Sequence, residues 1–267
     1  MVGTTALVVI LSVFNGFDEL IKSLINSFDP DLEITLVEGK TFNPSDSLKN
    51  RILEIEGIEA ITGVFEENAL IRYDERQYIA TMKGVDEDFS IVSGVDTMIR
   101  DGEFRLYENG RPQAIVGQGI AYSLRVGLSF LDPLIFYVPK RTGQINFSNP
   151  TASVNKSVVF PSGIFSIEQE YDNKYIILPI EVVRDLLEYD REVTSLEIKL
   201  AETADLKSVQ SRVEKVTGQR FDVKNRYQQN EAFYRIMKSE KWATFLILTL
   251  ILIIAPFNII GSLTMLI

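Results

Sequence analysis

The sequence predicts an α+β fold. It is a split ferredoxin-like α/β subdomain, interrupted by a mainly β insertion and flanked by helices that run into apolar ends. Three observations predict this. Two strand–helix–strand units look alike: DLEITL at Asp31–Leu36 matches SLEIKL at Ser195–Leu200, and SLKNRILEIEG at Ser47–Gly57 matches DLKSVQSRVEKVTG at Asp205–Gly218. Two βαβ-like halves suit a ferredoxin-like α/β sandwich. The residues between the halves, 110–192, read mostly as short strands. Finally, Met1–Phe14 and Trp242–Ile267 carry no charged side chain, so every charge lies in the middle of the chain.

The elements follow in order. Phe17, Leu20, Ile21, Leu24, Ile25 and Phe28 fall at i, i+3, i+4, i+7, i+8 and i+11, a single helical stripe. Asp29-Pro30 stops it, because the residue before proline avoids the α region. Leu32, Ile34 and Leu36 alternate along a strand at Asp31–Val37. Asn43-Pro44 is expected to cap a helix with proline at its first position. Leu48, Ile52 and Ile55 are its buried face, and Gly57 is its stop. A strand at Ile58–Phe65 follows, then a hairpin of Ala69–Tyr73 and Tyr78–Gly84 around Asp74-Glu75-Arg76.

In the insertion, Ala114–Val116, Leu134–Val138, Ser157–Phe160, Ile164–Ile167 and Tyr175–Leu178 read as strands. Short helices are expected at Ile120–Arg125 and at Pro179–Tyr189, the latter facing in through Val182, Val183, Leu186 and Leu187. Between Val138 and Val158 lies a polar stretch, PKRTGQINFSNPTASVNKSV, with Ile145 and Phe147 as its main apolar residues. A loop of that length inside a compact domain is commonly either functional or disordered. The second unit then runs through a strand at Val193–Leu200, a helix at Asp205–Val216 and a strand at Phe221–Lys224. Phe233, Ile236 and Met237 form a shorter apolar stripe. Two amphipathic helices leaving a membrane side by side would pack as a stalk, with Leu20, Leu24 and Phe28 facing Phe233, Ile236 and Met237.

The predicted organisation is 1–28 first helix and stalk, 29–109 first half of the α/β subdomain, 110–192 inserted subdomain, 193–225 second half, 226–241 stalk helix and 242–267 membrane helix. A bilayer core roughly 30 Å thick needs about 20 apolar helical residues, which the last segment supplies. Trp242 suits the headgroup region, and Lys238 and Lys241 can reach lipid phosphates. Met1–Phe14 is too short to span alone. With no basic leader region and no cleavage site, it reads as the end of a longer helix rather than a signal peptide.

Composition narrows the chemistry. The 267 residues carry a formal charge of −10 and contain no cysteine and no histidine. An acidic surface argues against nucleic acid as a partner. The missing thiols exclude a disulfide framework and a zinc-thiolate site, and the missing imidazoles remove the commonest general base. Gly117-Gln118-Gly119 lacks the third glycine of a dinucleotide fingerprint, since position 122 is Tyr122. No P-loop occurs. The acidic clusters Asp86-Glu87-Asp88 and Asp29/Asp31/Glu33 lack EF-hand spacing and read as solvated carboxylates. Glu66 and Glu67 are adjacent on a strand and point to opposite faces. Ser162-Gly163 lacks the nucleophile-elbow pattern. The expectation is a protein that is not an enzyme, with no catalytic residue, no cofactor and no metal.

A resemblance sharpens this. NEAFYRIMKSEKWATFLILTLILIIAPFNIIGSLTML, residues 230–266, resembles the second transmembrane helix and its lead-in helix in the lipoprotein-releasing ABC permeases (the LolC/LolE type). These belong to a wider group with the MacB-type and FtsX-type permeases. Phe233, Met237–Glu240, Phe245–Ile251 and Phe257-Asn258-Ile259 carry the match; Pro256 departs from the family's small residue. ALVVILSVFNGFDELI, Ala6–Ile21, resembles the end of the family's first transmembrane helix. Gly117-Gln118-Gly119-Ile120-Ala121 resembles a family segment in which the glycines shape a turn into a helix.

The resemblance implies a porter-like α/β subdomain split by the insertion and lying in the periplasm, with the chain held in the inner membrane. It implies a cytoplasmic ABC ATPase, a second permease subunit (as homo- or heterodimer), membrane lipid and a periplasmic lipoprotein carrier as partners. The implied function is ATP-driven release of lipoproteins from the membrane; the alternatives are a MacB-type efflux permease or an FtsX-type regulatory adaptor for a cell-wall hydrolase. In this family a protruding hairpin on the insertion captures the carrier. The corresponding stretch follows Val138-Pro139 and rejoins the family pattern at Gly163-Ile164-Phe165; the residues between do not match the family, and the segment is a few residues longer. It makes Arg141, Ile145, Asn146, Phe147, Pro150 and Lys156 the candidate contact residues, with Ile145 and Phe147 as apolar anchors.

Overall fold

The computed structural model describes residues 12, 13, 16, 28–128, 132–141 and 153–264, with side chains of the last helix described in part. The chain divides into two compact units, residues 25–226 and residues 1–24 with 227–267.

The larger unit is built on one mixed sheet, 11-stranded among the described residues. Four of its strands and two helices come from the two look-alike halves. These are β1 (Leu32–Leu36), α1 (Asp46–Leu53) and β2 (Ile58–Tyr73), then β10 (Ser195–Leu200), α6 (Leu206–Thr217) and β11 (Phe221–Asn225). Their order is β11-β1-β10-β2, and each neighbouring pair is antiparallel. The look-alike strands LEITL and LEIKL lie side by side, with Leu32 opposite Ile198 and Glu33 opposite Glu197. Alternation decides the faces. Leu32, Ile34, Leu196, Ile198 and Val223 join Ile52 of α1 and Val209 and Val213 of α6 in the core.

Two details of the first half differ from expectation. Ser45, not Asn43, caps α1: its hydroxyl accepts from Leu48 N at 3.2 Å, and Pro44 stays outside the helix. The hydroxyl satisfies an orphan N–H that proline's fixed φ cannot. Secondly, Ile58–Tyr73 is one continuous strand, since Glu66–Asn68 keep pairing with Thr81–Lys83.

The remaining strands are β3 (Arg76–Val85), β4 (Ile99–Gly102), β5 (Tyr107–Glu108), β6 (Arg111–Gly117), β7 (Leu134–Pro139), β8 (Val154–Phe165) and β9 (Tyr175–Pro179). Short helices α2 (Phe89–Val92), α3 (Gln118–Leu124), α4 (Gln169–Lys174) and α5 (Ile180–Leu187) connect them. From β2 the sheet continues β3-β9-β6-β8-β4, with β7 bridging β2 and β8. The β2–β3 hairpin and β4 therefore pair with strands β7, β8 and β9, which follow residue 110. Ser157–Phe160 and Ile164–Ile167, expected as two strands, merge into the single strand β8 (Val154–Phe165), with Ser166 and Ile167 beyond its end. The polar stretch is shorter than expected because Val154–Ser157 pair with Phe136–Pro139.

In the smaller unit, α7 (Arg226–Gln229) is followed by the long helix α8 (Glu231–Thr264). Phe245, Leu246, Ile247, Leu250, Ile251 and Ile254 are exposed, while Leu248 is buried. Among the described residues no helix is long and apolar enough to cross a membrane. The expected span at 242–267 extends past Ile254, the last described side chain of α8.

Candidate functional site: the buried charge network and the loop of the inserted region

The polar face of the β11-β1-β10-β2 sheet holds an ionic cluster. One row runs Lys224–Glu33–Glu197–Thr62 across the four strands. Two rows further along β2, Glu66 stands opposite Lys83 of β3. Lys83 is the hub, with its side chain 4 % exposed. Its ammonium donates to Glu197 Oε1 at 2.7 Å and to Glu66 Oε1 at 2.9 Å. The rings of Phe28, Phe89 and Tyr175 surround it, with centroids 5.1, 5.4 and 5.6 Å away. Thr62 Oγ1 donates to Asp86 Oδ1 at 2.5 Å. Burial disfavours the Lys83 cation, but Glu197 and Glu66 outweigh it and hold its pKa well above the ordinary lysine value. Burial pushes Glu197 up to about 7, and attraction to Lys83 only partly offsets it. Burial likewise raises Glu33.

The Glu197 shift sets a pH dependence. The folded state keeps its proton up to near pH 7, whereas the unfolded chain loses it near the ordinary glutamate value of 4.5. This stabilisation is complete below the lower value and is lost as pH rises through the upper one. We expect stability to fall by on the order of 2–3 kcal/mol between pH 5 and pH 8 from this group. Urea unfolding of the full-length protein in detergent at the two pH values checks it, and Glu197→Gln should flatten the difference.

The chain enters and leaves this face close by. Asp31, buried, accepts from Leu200 N at 2.7 Å and pairs with Arg226. Asp29 accepts from Tyr171 Oη at 2.7 Å. These two carboxylates are structural rather than solvated, and among the described residues no cluster of three or more acidic side chains is placed to hold a metal ion. Phe28 packs against Phe165, Tyr171 and Tyr175 at centroid distances of 6.0, 5.1 and 5.3 Å. Its ring is buried and stands in the aromatic shell around Lys83. Ile236 is 58 % exposed. Leu20 and Leu24, and the side chains of Phe233 and Met237, lie outside the described residues.

The foot of the polar loop is firmly built. Pro139 pairs with Val154, and Lys140 N donates to Ser153 O at 3.0 Å. Asn155 Nδ2 donates to Leu186 O and to Glu188 Oε1, both at 3.0 Å. Arg141 stacks on Tyr189 at 4.2 Å and donates to Glu188 O at 3.2 Å. Lys156 is exposed on β8. Ile145, Asn146, Phe147 and Pro150 lie outside the described residues. The structure thus brings Arg141 and Lys156 to one hairpin base.

Gly117 and Gly119 serve packing. A side chain on Gly117 would strike the backbone of Asp172, and one on Gly119 would strike the Asn173 side chain. They let α3 approach α4.

Sequence reasoning missed Lys83, Glu66 and Glu197 as a unit. The available signal was the shared glutamate of LEITL and LEIKL, Glu33 and Glu197, which proves to be a cross-strand pair.

With this geometry in hand, comparison with known proteins places the chain. Residues 1–216 match the MacB-like periplasmic core domain, and the chain belongs to that family. It is 26 % identical over 272 residues to the lipoprotein-releasing system transmembrane protein LolC of Neisseria meningitidis serogroup B, covering 98 % of this chain and 62 % of that protein. It is 22 % identical over 268 residues to the lipoprotein-releasing system transmembrane protein LolE of Haemophilus influenzae, covering 98 % of this chain and 63 % of that protein. The chain thus spans somewhat under two thirds of these relatives' length. The crystal structure of the periplasmic region of MacB from Actinobacillus actinomycetemcomitans shares the fold, with a TM-score of 0.51 at 12 % identity over 79 % of this chain and 95 % of that one.

Proposed function

We propose that this chain is the periplasmic part of an ABC transporter permease that couples cytoplasmic ATP hydrolysis to the release of lipoproteins from the inner membrane. The observation that carries the proposal is the match to LolC over 98 % of the chain. The antiparallel order β11-β1-β10-β2 supports the split ferredoxin-like, porter-like reading of the two halves. The charge-free sequence 242–267, with Phe245–Ile247, Leu250 and Ile251 of α8 exposed, supports a membrane helix there, since a helix apolar all round needs a bilayer or a core. The partners are a cytoplasmic ABC ATPase, a second permease subunit, membrane lipid and a soluble periplasmic carrier. The chain itself supplies no catalytic group. It supplies a rigid body whose entry and exit, at Asp31 and Arg226, are joined by an ion pair.

The loop between β7 and β8 is the carrier contact in this reading. Its pinned foot supports the assignment, because a binding segment on a rigid hairpin base loses less entropy on docking. Replacing residues 146–151 by a Gly-Ser linker in the full-length permease should abolish carrier capture in a pull-down, with ATPase coupling retained. Unchanged capture would remove the loop from the mechanism. Recovery of a cell-wall hydrolase in place of a carrier would favour the FtsX-type reading.

A further inference from the structure

In a chain of net charge −10, one cleft gathers cations. A cleft of about 740 Å³ lies between the tip of the β2–β3 hairpin, β4 and α3. Arg76, Arg100 and Arg125 line it, against one acidic lining residue, Asp101. Arg76 Nη1 donates to Ser123 O at 3.2 Å, which ties the hairpin tip to the end of α3. Arg125 caps α3 in the left-handed region, φ 57°, where glycine would be unstrained. Tyr122 stands at the rim, 86 % exposed. Among the described residues none of the three arginines forms an ion pair. Asp172 feels Arg100, but its carboxylate is already engaged by Ser166 Oγ at 2.9 Å and Ile167 N at 2.8 Å.

Three arginines line one cleft, and like charges gathered there favour an anion that offsets them. Arginine forks fit carboxylates two bonds at a time. The cleft is too large for one small ion and falls in the range that holds an extended ligand. Val126 and Ile164 add apolar lining. Exposed tyrosine beside arginine is the composition of protein-binding hot spots.

We propose that this cleft docks a carboxylate-rich segment of a partner protein. It lies at the far end of β8 from the β7–β8 loop, so it is a second, separate contact. The segment runs past Tyr122, with its carboxylates on Arg100 and Arg125.

The test uses the full-length protein in detergent and fluorescein-labelled hexaglutamate, read by anisotropy. The native protein should bind saturably and more weakly as salt rises. The double variant Arg100→Gln with Arg125→Gly should weaken binding at least tenfold, with an equal or higher Tm because glycine relieves the left-handed position. Tyr122→Ala should weaken it as well. The control Lys207→Gln with Lys215→Gln, which removes two exposed charges from α6, should leave binding unchanged. If the double variant lowers the Tm, Arg100→Gln alone and Tyr122→Ala carry the readout. Absent binding, or equal loss in the control, overturns the proposal. So does displacement of the peptide by inorganic phosphate at equal concentration, which would make this a small-anion site. Binding of phosphatidylglycerol vesicles that depends on the same arginines, with peptide unaffected, also overturns it.

Discussion

Lys83→Met should destabilise the full-length protein by about 3–5 kcal/mol at pH 8, measured by urea unfolding in detergent. The substitution keeps the length and the apolar stem but removes the only cation between Glu66 and Glu197. Glu197 is 2 % exposed, so its charge cannot turn to water. A buried pair contributes little net stability when intact, but breaking it strands the partner. The loss should shrink at pH 5, where Glu197, with its pKa near 7, is neutral. Adding Glu197→Leu to Lys83→Met should recover most of the stability, because the pair is then replaced rather than broken. A Lys83→Met protein as stable as the native one at pH 8 would show that Lys83 does not hold this network together.

Gly117→Ala should cost about 2–3 kcal/mol, comparable with overpacking a core. The added carbon would meet the carbonyl of Asp172, with the Asp172 Cα only 3.0 Å away. Backbone cannot swing aside as a side chain can, so α3 must move off α4. The strain is steric and not conformational, since φ at Gly117 is −62°. Moving α3 also displaces Tyr122 and Arg125, so hexaglutamate binding should fall with stability. A shift in the thermal unfolding midpoint, read beside peptide anisotropy, checks both.

How much was legible in the sequence follows from which forces act locally. Alternation and helical period identified β1, α1, β10, α6 and β11, because each buries one face against the other half. The repeated LEITL and LEIKL strands also foretold that β1 and β10 share a sheet, and they pair directly. The β2–β3 hairpin was legible as a hairpin, but its allegiance to β9 was not, since parallel pairing of β3 with β9 leaves no local mark. Phe28 fitted a helical stripe by spacing, yet its ring is buried against Phe165 and Tyr171, residues remote in sequence. The charge network was invisible for a related reason. Glu33, Glu66, Lys83 and Glu197 occupy polar positions of alternating strands and look solvent-facing, until α2 and Phe28 cover that face. The outgoing side of the hairpin foot was legible at Val138-Pro139, but the return was not, since Val154–Ser157 already pair with Phe136–Pro139 well before Gly163. The arginine cleft was not, because Arg76, Arg100 and Arg125 come from a hairpin tip, a strand and a helix end that only the fold brings together.

The most direct measurement reconstitutes the full-length protein with its co-encoded ATPase in proteoliposomes that carry a labelled lipoprotein. The release of label to an added soluble carrier is then followed. The account predicts release that requires both ATP and the carrier. ATP hydrolysis at a normal rate with no lipoprotein released to the carrier would contradict it.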